Sequence, residues 1–379
     1  MEQIVTYFNF AYPKWNEAIS CQPIQNSRAG DVREILNAKT VLLEPTKRVT
    51  LREGRSTNVF FLLAEALWIF NGKRDVELLT IFNTKMKEYS DDGVTFHAPY
   101  GWRLRHWGVP SDVDVDMSLD YTEGNVYGVD QLSMVVKEIA NNPESRRIVA
   151  SIWNPLFDLG TDSKDLPCND MLMWKVRNGH LHLTVQNRSN DLHLGLFTNV
   201  FQFSVINELI ALCCGLEVGT QTHNSQSLHV YESFKEKELS GDPILYDGNM
   251  TDFPIDFSFN YADPERRYYE LQVFINDMLS CVKTVYYSYL SNEELNTIHE
   301  YIDSNFTRLM PKSAWFAGVF KLLCSYVTYK FGRYSDKMES LRTLLGNIGA
   351  TEISTGLKTW DMIRGARLFV KQRVAKLSV

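Results

Sequence analysis

The sequence lacks a Cys-x-x-Cys pair, a block of basic residues, a low-complexity tract and any repeat of 20–50 residues. Each absence excludes something. The six cysteines, Cys21, Cys168, Cys213, Cys214, Cys281 and Cys324, have no regular spacing, so neither a zinc site nor a disulfide framework is expected, and no metal is. With 39 Lys and Arg against 46 Asp and Glu, the net charge of −7 argues against a protein that grips nucleic acid, although a local basic pocket for a small anion stays open. No early segment combines a basic start with an apolar run, so no secretory leader is expected. The apolar run 314–331 is broken by Lys321 and Lys330 and makes a poor membrane span. A cytoplasmic location away from membranes follows as the expectation. What the chain does have is size: 379 residues, 44% hydrophobic, enough for two domains or for one large domain with an appendage.

Local patterns divide the chain. Residues 56–72 predict a helix capped by Ser56 or Thr57 and ended by Gly72. Asp75 can cap a second, with Val76, Leu79, Phe82 and Met86 as its apolar stripe. Residues 130–140 predict a third. Residues 147–153 then read as a buried strand, and 171–176 and 180–186 as a hairpin about Asn178-Gly179. Residues 198–214 form a long apolar helix closed by Gly215, and 228–231 end another strand. From about residue 263 only helical periodicity remains, over 264–289, 292–303, 312–331, 336–345 and 352–377. The fold class is therefore α+β, with a body over 1–262 and an all-helical C-terminal extension over 263–379. The aperiodic stretch 109–125, rich in Asp, reads as a surface loop or a lid.

Some residues stand out chemically. Five cysteines sit in helical or apolar surroundings, where a thiol is usually a small core group. Cys168 instead follows Pro167 in a polar stretch between two strand candidates, as a nucleophile or as an incidental loop thiol. Glu65 is the one polar residue in the run 59–70; a carboxyl there must be paired, hydrogen-bonded or protonated, and burial raises its pKa toward the range useful for proton shuttling. A satisfied structural Glu fits equally well. Arg188-Ser189 joins a guanidinium fork to a hydroxyl, a pairing suited to a phosphate dianion, and surface salt bridging is the alternative. Arg146 and Arg147 are adjacent in the predicted strand and would point to opposite faces. His229 and Tyr231, two apart, share one.

In order along the chain, Ser145-Arg146-Arg147-Ile148, Trp153-Asn154, Pro167-Cys168, Gln186-Asn187-Arg188-Ser189-Asn190-Asp191, Gly195-Leu196, Asn199 and His229-Val230-Tyr231 resemble the thymidylate synthase family. Ala64-Glu65-Ala66-Leu67-Trp68, Pro99-Tyr100-Gly101 and, more loosely, Arg28-Ala29-Gly30 extend the resemblance to about residues 20–262. It implies a mixed sheet packed with helices and a reaction in which a thiolate adds to C6 of uracil, so that C5 attacks the one-carbon unit of 5,10-methylenetetrahydrofolate. On this resemblance Cys168 is the nucleophile, its thiolate favoured by Arg188. Glu65 relays protons, and Tyr100 helps remove the C5 proton. Arg28, Arg188 and Ser189 bind the phosphate of dUMP, with Arg146 and Arg147 supplied by the partner of a homodimer. His229 and Tyr231 hold the 3′-hydroxyl, and Asp191 and Gly195 lie at the folate. Asn199 reads the base: its carboxamide matches the donor and acceptor of uracil, whereas related cytidylate hydroxymethylases carry Asp there.

Three departures bear on the outcome. Asn169 stands where the family usually has His, which weakens the proton network around Glu65. Met86 and Tyr89 stand where it usually has two tryptophans, the first of which shields the methylene intermediate beside folate. The end of the sequence, 376–379, does not match the short family tail that closes over folate. Loss of such shielding admits water, which would give 5-hydroxymethyl-dUMP and leave tetrahydrofolate unoxidised. The sequence thus resembles most a phage-type deoxyuridylate hydroxymethyltransferase, with a thymidylate synthase proper as the alternative. A catalytically dead synthase-like binding module is the reading from another class, and joint presence of Cys168, Glu65, Asn199 and the arginines argues against it.

Overall fold

The computed structural model describes residues 1–49, 57–112, 128–233 and 254–333. Its eight strands are β1 (Glu2–Val5), β2 (Ile24–Gln25), β3 (Val32–Leu42), β4 (Val149–Ser151), β5 (Asn169–Arg177), β6 (His180–Asn187), β7 (Asn190–Asp191) and β8 (Glu217–Tyr231). They form one mixed sheet in the order β1-β3-β8-β6-β5-β4, with β2 paired to β3 and β7 to β8. The β5–β6 hairpin turns on Asn178 and Gly179, both at positive φ (52° and 77°), the geometry whose twist matches that of the flanking strands. Leu181, Leu183 and Val185 of β6 are all buried on one face, as their alternation requires.

β6 and β8 run parallel, so the chain must cross over between them. The crossover is α7 (Phe197–Cys214), which buries 15 of its 18 residues and ends at Gly215, in the left-handed conformation at φ 68°. The stretch Leu192–Cys214 is apolar enough to cross a membrane by composition, and 89% of its apolar window lies inside the fold. A helix apolar on every side needs cover on every side. It is covered by α2 (Val59–Phe70), α5 (Gln131–Asn141) and α8 (Pro264–Leu290) as well as by the sheet. The helices α9 (Leu295–Leu309) and α10 (Ala314–Phe331) follow, and α10 also packs on α2. The C-terminal helices share a continuous core with the body. Buried polar links reinforce the seam: Asn71 donates to Gln272 Oε1 at 2.9 Å, Gln272 donates to the Phe70 carbonyl at 2.8 Å, and Tyr268 donates to Asp130 at 3.1 Å.

Several expected boundaries move. α2 is capped by Asn58, whose side chain accepts the Phe61 N–H, rather than by Ser56 or Thr57, and Ser56 lies outside the described residues. Asp75 does cap α3 (Val76–Phe82), but Met86 is not on its stripe. Asn83 ends the helix and its side chain opens a separate 3-10 turn, Thr84–Tyr89, that carries Met86. The strand expected over 147–153 shrinks to β4, so Arg146 and Arg147 precede it. Helix α9 starts at Leu295, after Asn292 takes a positive φ of 56°. The helices expected over 336–345 and 352–377, most of the stretch 109–125, and the tail 376–379 lie outside the described residues.

Candidate active site

Glu65 sits on α2 with one carboxylate oxygen, Oε2, buried and without a hydrogen-bond partner. The Gln202 carboxamide of α7 donates to the group, yet burial dominates and, with the nearby Asp165 charge, pushes its pKa up to about 8. Glu65 is therefore protonated at neutral pH. Across from it, the short helix α4 (Tyr100–Arg105) presents Tyr100, whose ring stacks on Phe203 of α7 at 6.3 Å. Gly101 makes this approach possible, since a Cβ there would lie 2.2 Å from the Ile69 carbonyl of α2. Tyr100 shares a hydrogen bond with the Cys168 backbone, and burial, followed by the Cys168 and Asp165 charges, raises its pKa well above the ordinary value.

Cys168 lies just before β5. Its loop is clamped on both sides. Arg188 Nε donates to the Pro167 carbonyl at 2.8 Å and Nη2 to that of Leu166 at 3.2 Å, while the guanidinium stands 5.5 Å over Trp153. On the other side Ser163 donates to Asp91 at 2.6 Å and the Lys164 N–H does so at 3.2 Å, tying the loop to the segment that follows Thr84–Tyr89. The expected low-pKa thiol is not what these contacts produce in the free chain. Burial pushes the Cys168 thiol up, and Arg188 only partly offsets it. Arg188 itself is surface-exposed and spends two nitrogens on backbone carbonyls.

The expected nucleotide-binding residues gather about this loop. His229 and Tyr231 of β8 share a face, with rings 5.1 Å apart and perpendicular. Tyr231 lies within electrostatic range of Asp191, Cys168, Arg28 and Tyr89, and its pKa is raised by burial and by Asp191. Arg28 is exposed in the turn 27–30, where Ser27 and Gly30 exchange backbone hydrogen bonds. Ser189 is half-buried in the β6–β7 turn. Asp191 caps the turn Leu192–Leu196 into α7, accepting the His193 and Leu194 N–H groups at 2.6 and 2.9 Å. Gly195 lies in that turn against the buried Asn190 side chain, 2.8 Å from where its Cβ would stand. Asn199, on the first turn of α7, is buried. Met86 is half-buried against the core.

Other residues fall elsewhere. Arg146 and Arg147 are exposed, Arg147 reaching Glu138 at 3.7 Å, and neither joins the Cys168 group. Asn169 is buried and donates to Asn187 across the paired ends of β5 and β6, a local tie between strands. The sequence reading missed Gln202 and Asp165. Gln202 stands three residues after Asn199, hence on the same helix face, which is a usable signal. Asp165 stands three residues before the thiol, in a stretch whose polarity conceals its burial.

The Glu65 environment has a measurable consequence. Its pKa of about 8 exceeds the unfolded value, so between pH 4.5 and 8 the folded chain holds a proton that the unfolded chain lacks, and stability falls as pH rises. Glu65→Gln removes that slope. Thermal or urea unfolding of the ligand-free pair is expected to show a variant advantage that is absent near pH 4.5 and grows to on the order of 3 kcal/mol by pH 7. Parallel pH profiles would contradict the assignment.

Residues 25–240 match the sequence profile of thymidylate synthase. The chain is 45% identical over 207 residues to a deoxyuridylate hydroxymethyltransferase of Bacillus phage SP01, covering 54% of this chain and 51% of that protein. It is 34% identical over 251 residues to one of Pseudomonas phage M6, covering 63% and 66%. A thymidylate synthase of Bacillus atrophaeus is 30% identical over 218 residues, 52% of this chain and 92% of that enzyme. The chain thus spans between half and two thirds of the length of the two phage relatives. With the profile matched over more than half its length, and the residues around Cys168 assembled as described, the chain belongs to the thymidylate synthase family.

Proposed function

We propose that the chain transfers a one-carbon unit from 5,10-methylenetetrahydrofolate to C5 of dUMP and releases 5-hydroxymethyl-dUMP. The observation that carries this reading is the placement of one thiol, Cys168, among a protonated acid (Glu65), a buried phenol (Tyr100) and a guanidinium (Arg188). The similarity to the two phage deoxyuridylate hydroxymethyltransferases supports the hydroxymethyl product.

Cys168 adds to C6 of the ring, which makes C5 the carbon nucleophile. Folate supplies the methylene. Glu65 gives a proton toward the ring carbonyl through water, and Tyr100 helps take the C5 proton. Asn199 donates to O4 and accepts from N3 of uracil. Arg28, Arg188 and Ser189 hold the phosphate, His229 and Tyr231 the 3′-hydroxyl, and Asp191 and Gly195 the pterin side. The buried Glu65 Oε2, with no hydrogen-bond partner in the fold, fits a carboxyl group that exchanges a proton with the ring carbonyl through water. Arg146 and Arg147 are exposed, Arg147 held only by a surface ion pair to Glu138, and would reach the phosphate of a second copy, so the reading includes a homodimer. Within it, residues 1–262 carry the chemistry and 263–379 are the extension, helical over the described α8, α9 and α10.

Met86 favours water capture over hydride transfer. A half-buried thioether in the turn just before the segment tied to the Cys168 loop is a flexible cover where an indole would be a rigid one. Enzyme incubated with dUMP and methylenetetrahydrofolate is expected to yield a nucleotide of the hydroxymethyl mass with no accumulation of dihydrofolate. A methylated nucleotide with stoichiometric dihydrofolate would assign it to thymidylate synthesis instead. Absence of turnover with intact dUMP binding would mark a binding module.

A further inference from the structure

Asp165 has no task in the steps above, yet it is held inside the site. Its Oδ2 accepts the Ala98 backbone N–H at 2.9 Å, which fixes the carboxylate beside the segment leading into Tyr100. Its own N–H donates to Ser163 Oγ at 3.1 Å, and the loop on either side is clamped to Asp91 and to Arg188. Turning this half-buried carboxylate away would break its bond from the Ala98 N–H. Its charge acts on Glu65, Tyr100 and Cys168, the three groups that the proposed function sets around the reacting carbons. On its outer side it faces Asp91, His97 and Arg103.

Two acids in one site with different protonation states divide acid and base work between them. Burial pushes Asp165 up to about 6, below the value for Glu65, so at neutral pH Asp165 is ionised while Glu65 keeps its proton. Glu65 in that state cannot accept a proton from water. Asp165 can.

We propose that Asp165 is the base that holds and deprotonates the water captured by the exocyclic methylene. The inference rests on the hydroxymethyl-forming reading above. In the step, the water oxygen bonds to the exocyclic carbon and one water proton passes to the Asp165 carboxylate. The electron pair of the C5–methylene double bond moves onto the ring as the C4 enolate. That pair then returns to form the C5–C6 double bond, and the C6–S bond breaks, releasing Cys168 as the thiolate. No oxidant or reductant is needed.

The test uses the full chain, dUMP carrying tritium at C5, and methylenetetrahydrofolate. Tritium release in a single turnover reports every step through loss of the C5 proton, and hydroxymethyl product reports water capture. Asp165→Asn is expected to keep single-turnover tritium release within a few fold of the parent. Steady-state product should fall by about 10²-fold, the usual contribution of a general base. The covalent nucleotide on Cys168 should accumulate, visible by mass spectrometry. The parent's loss of product formation below about pH 6 should vanish in the variant, and Asp165→Glu should restore part of the rate. Adduct formation with 5-fluoro-dUMP confirms that each variant is folded. Product and tritium release falling together would overturn the inference in favour of a structural role, as would an unimpaired Asp165→Asn. A parent chain that makes dTMP and dihydrofolate would overturn the underlying reading, and this inference with it.

Discussion

Cys168→Ala is expected to abolish turnover, by roughly 10⁴-fold or more, while dUMP still binds. The size of the effect follows from the position of the sulfur. No other cysteine can replace it: Cys213, Cys281 and Cys324 are buried in the core, Cys214 is in the last turn of α7, and Cys21 is exposed past the end of the first helix, α1 (Phe8–Ser20). Burial raises the thiol in the free chain and Arg188 only partly offsets it, so Arg188 is the group on which the thiolate depends. Serine would not substitute, since a buried hydroxyl is a far weaker acid. The decisive measurement is mass spectrometry of protein trapped with 5-fluoro-dUMP and the folate: the parent should carry the adduct on the peptide containing Cys168, and the variant none. Full turnover by Cys168→Ala would overturn the mechanism as a whole.

Asn199→Asp is expected to move base preference from uracil toward cytosine. Asn199 is buried on the first turn of α7, three residues from the Gln202 that binds Glu65, so its carboxamide sits in a low-dielectric wall of the site. An ionised carboxylate can only accept, which matches the exocyclic amine of cytosine and leaves O4 of uracil facing a like partial charge. An unmatched buried pair costs about 1–3 kcal/mol, so losing one match and gaining another changes the dUMP to dCMP ratio of kcat/KM by about 10³-fold. Competition between the two nucleotides measures it directly. An unchanged ratio would remove Asn199 from base recognition.

What was readable in the sequence was local. The hairpin at Asn178-Gly179, the Asp75 cap, the helix beginning at about residue 130 and the Gly215 stop each rest on a few neighbouring residues, and each is found where expected. The N-terminal strands were not readable because β3 exists by pairing with β8, Val32 opposite Tyr231, which no local pattern discloses. Helix α1 carries Pro13 inside it, against local preference, and is held by burial of Phe8, Tyr12 and Trp15. The candidate site residues were proposed from ordered motifs, and their surroundings could not be read that way. Burial of Asp165 depends on the Ala98 backbone and Tyr100, some 65 positions earlier in the chain. Likewise the thiol's raised pKa reflects packing that adjacent arginines alone would never suggest. Arg147 was read into a strand because β4 is shorter than its sequence pattern suggests.

The pairing of β8 with β3 on one edge and β6 on the other has a further consequence. Arg28, in the turn before β3, and Tyr231, at the end of β8, are brought together by strands that meet only after the intervening two hundred or so residues have been threaded between them. Contacts of such long sequence separation form late, after local helices and hairpins. On the proposed function, a nascent polypeptide stays inert until β8 has docked, because a fragment that stops short of that strand lacks His229 and Tyr231.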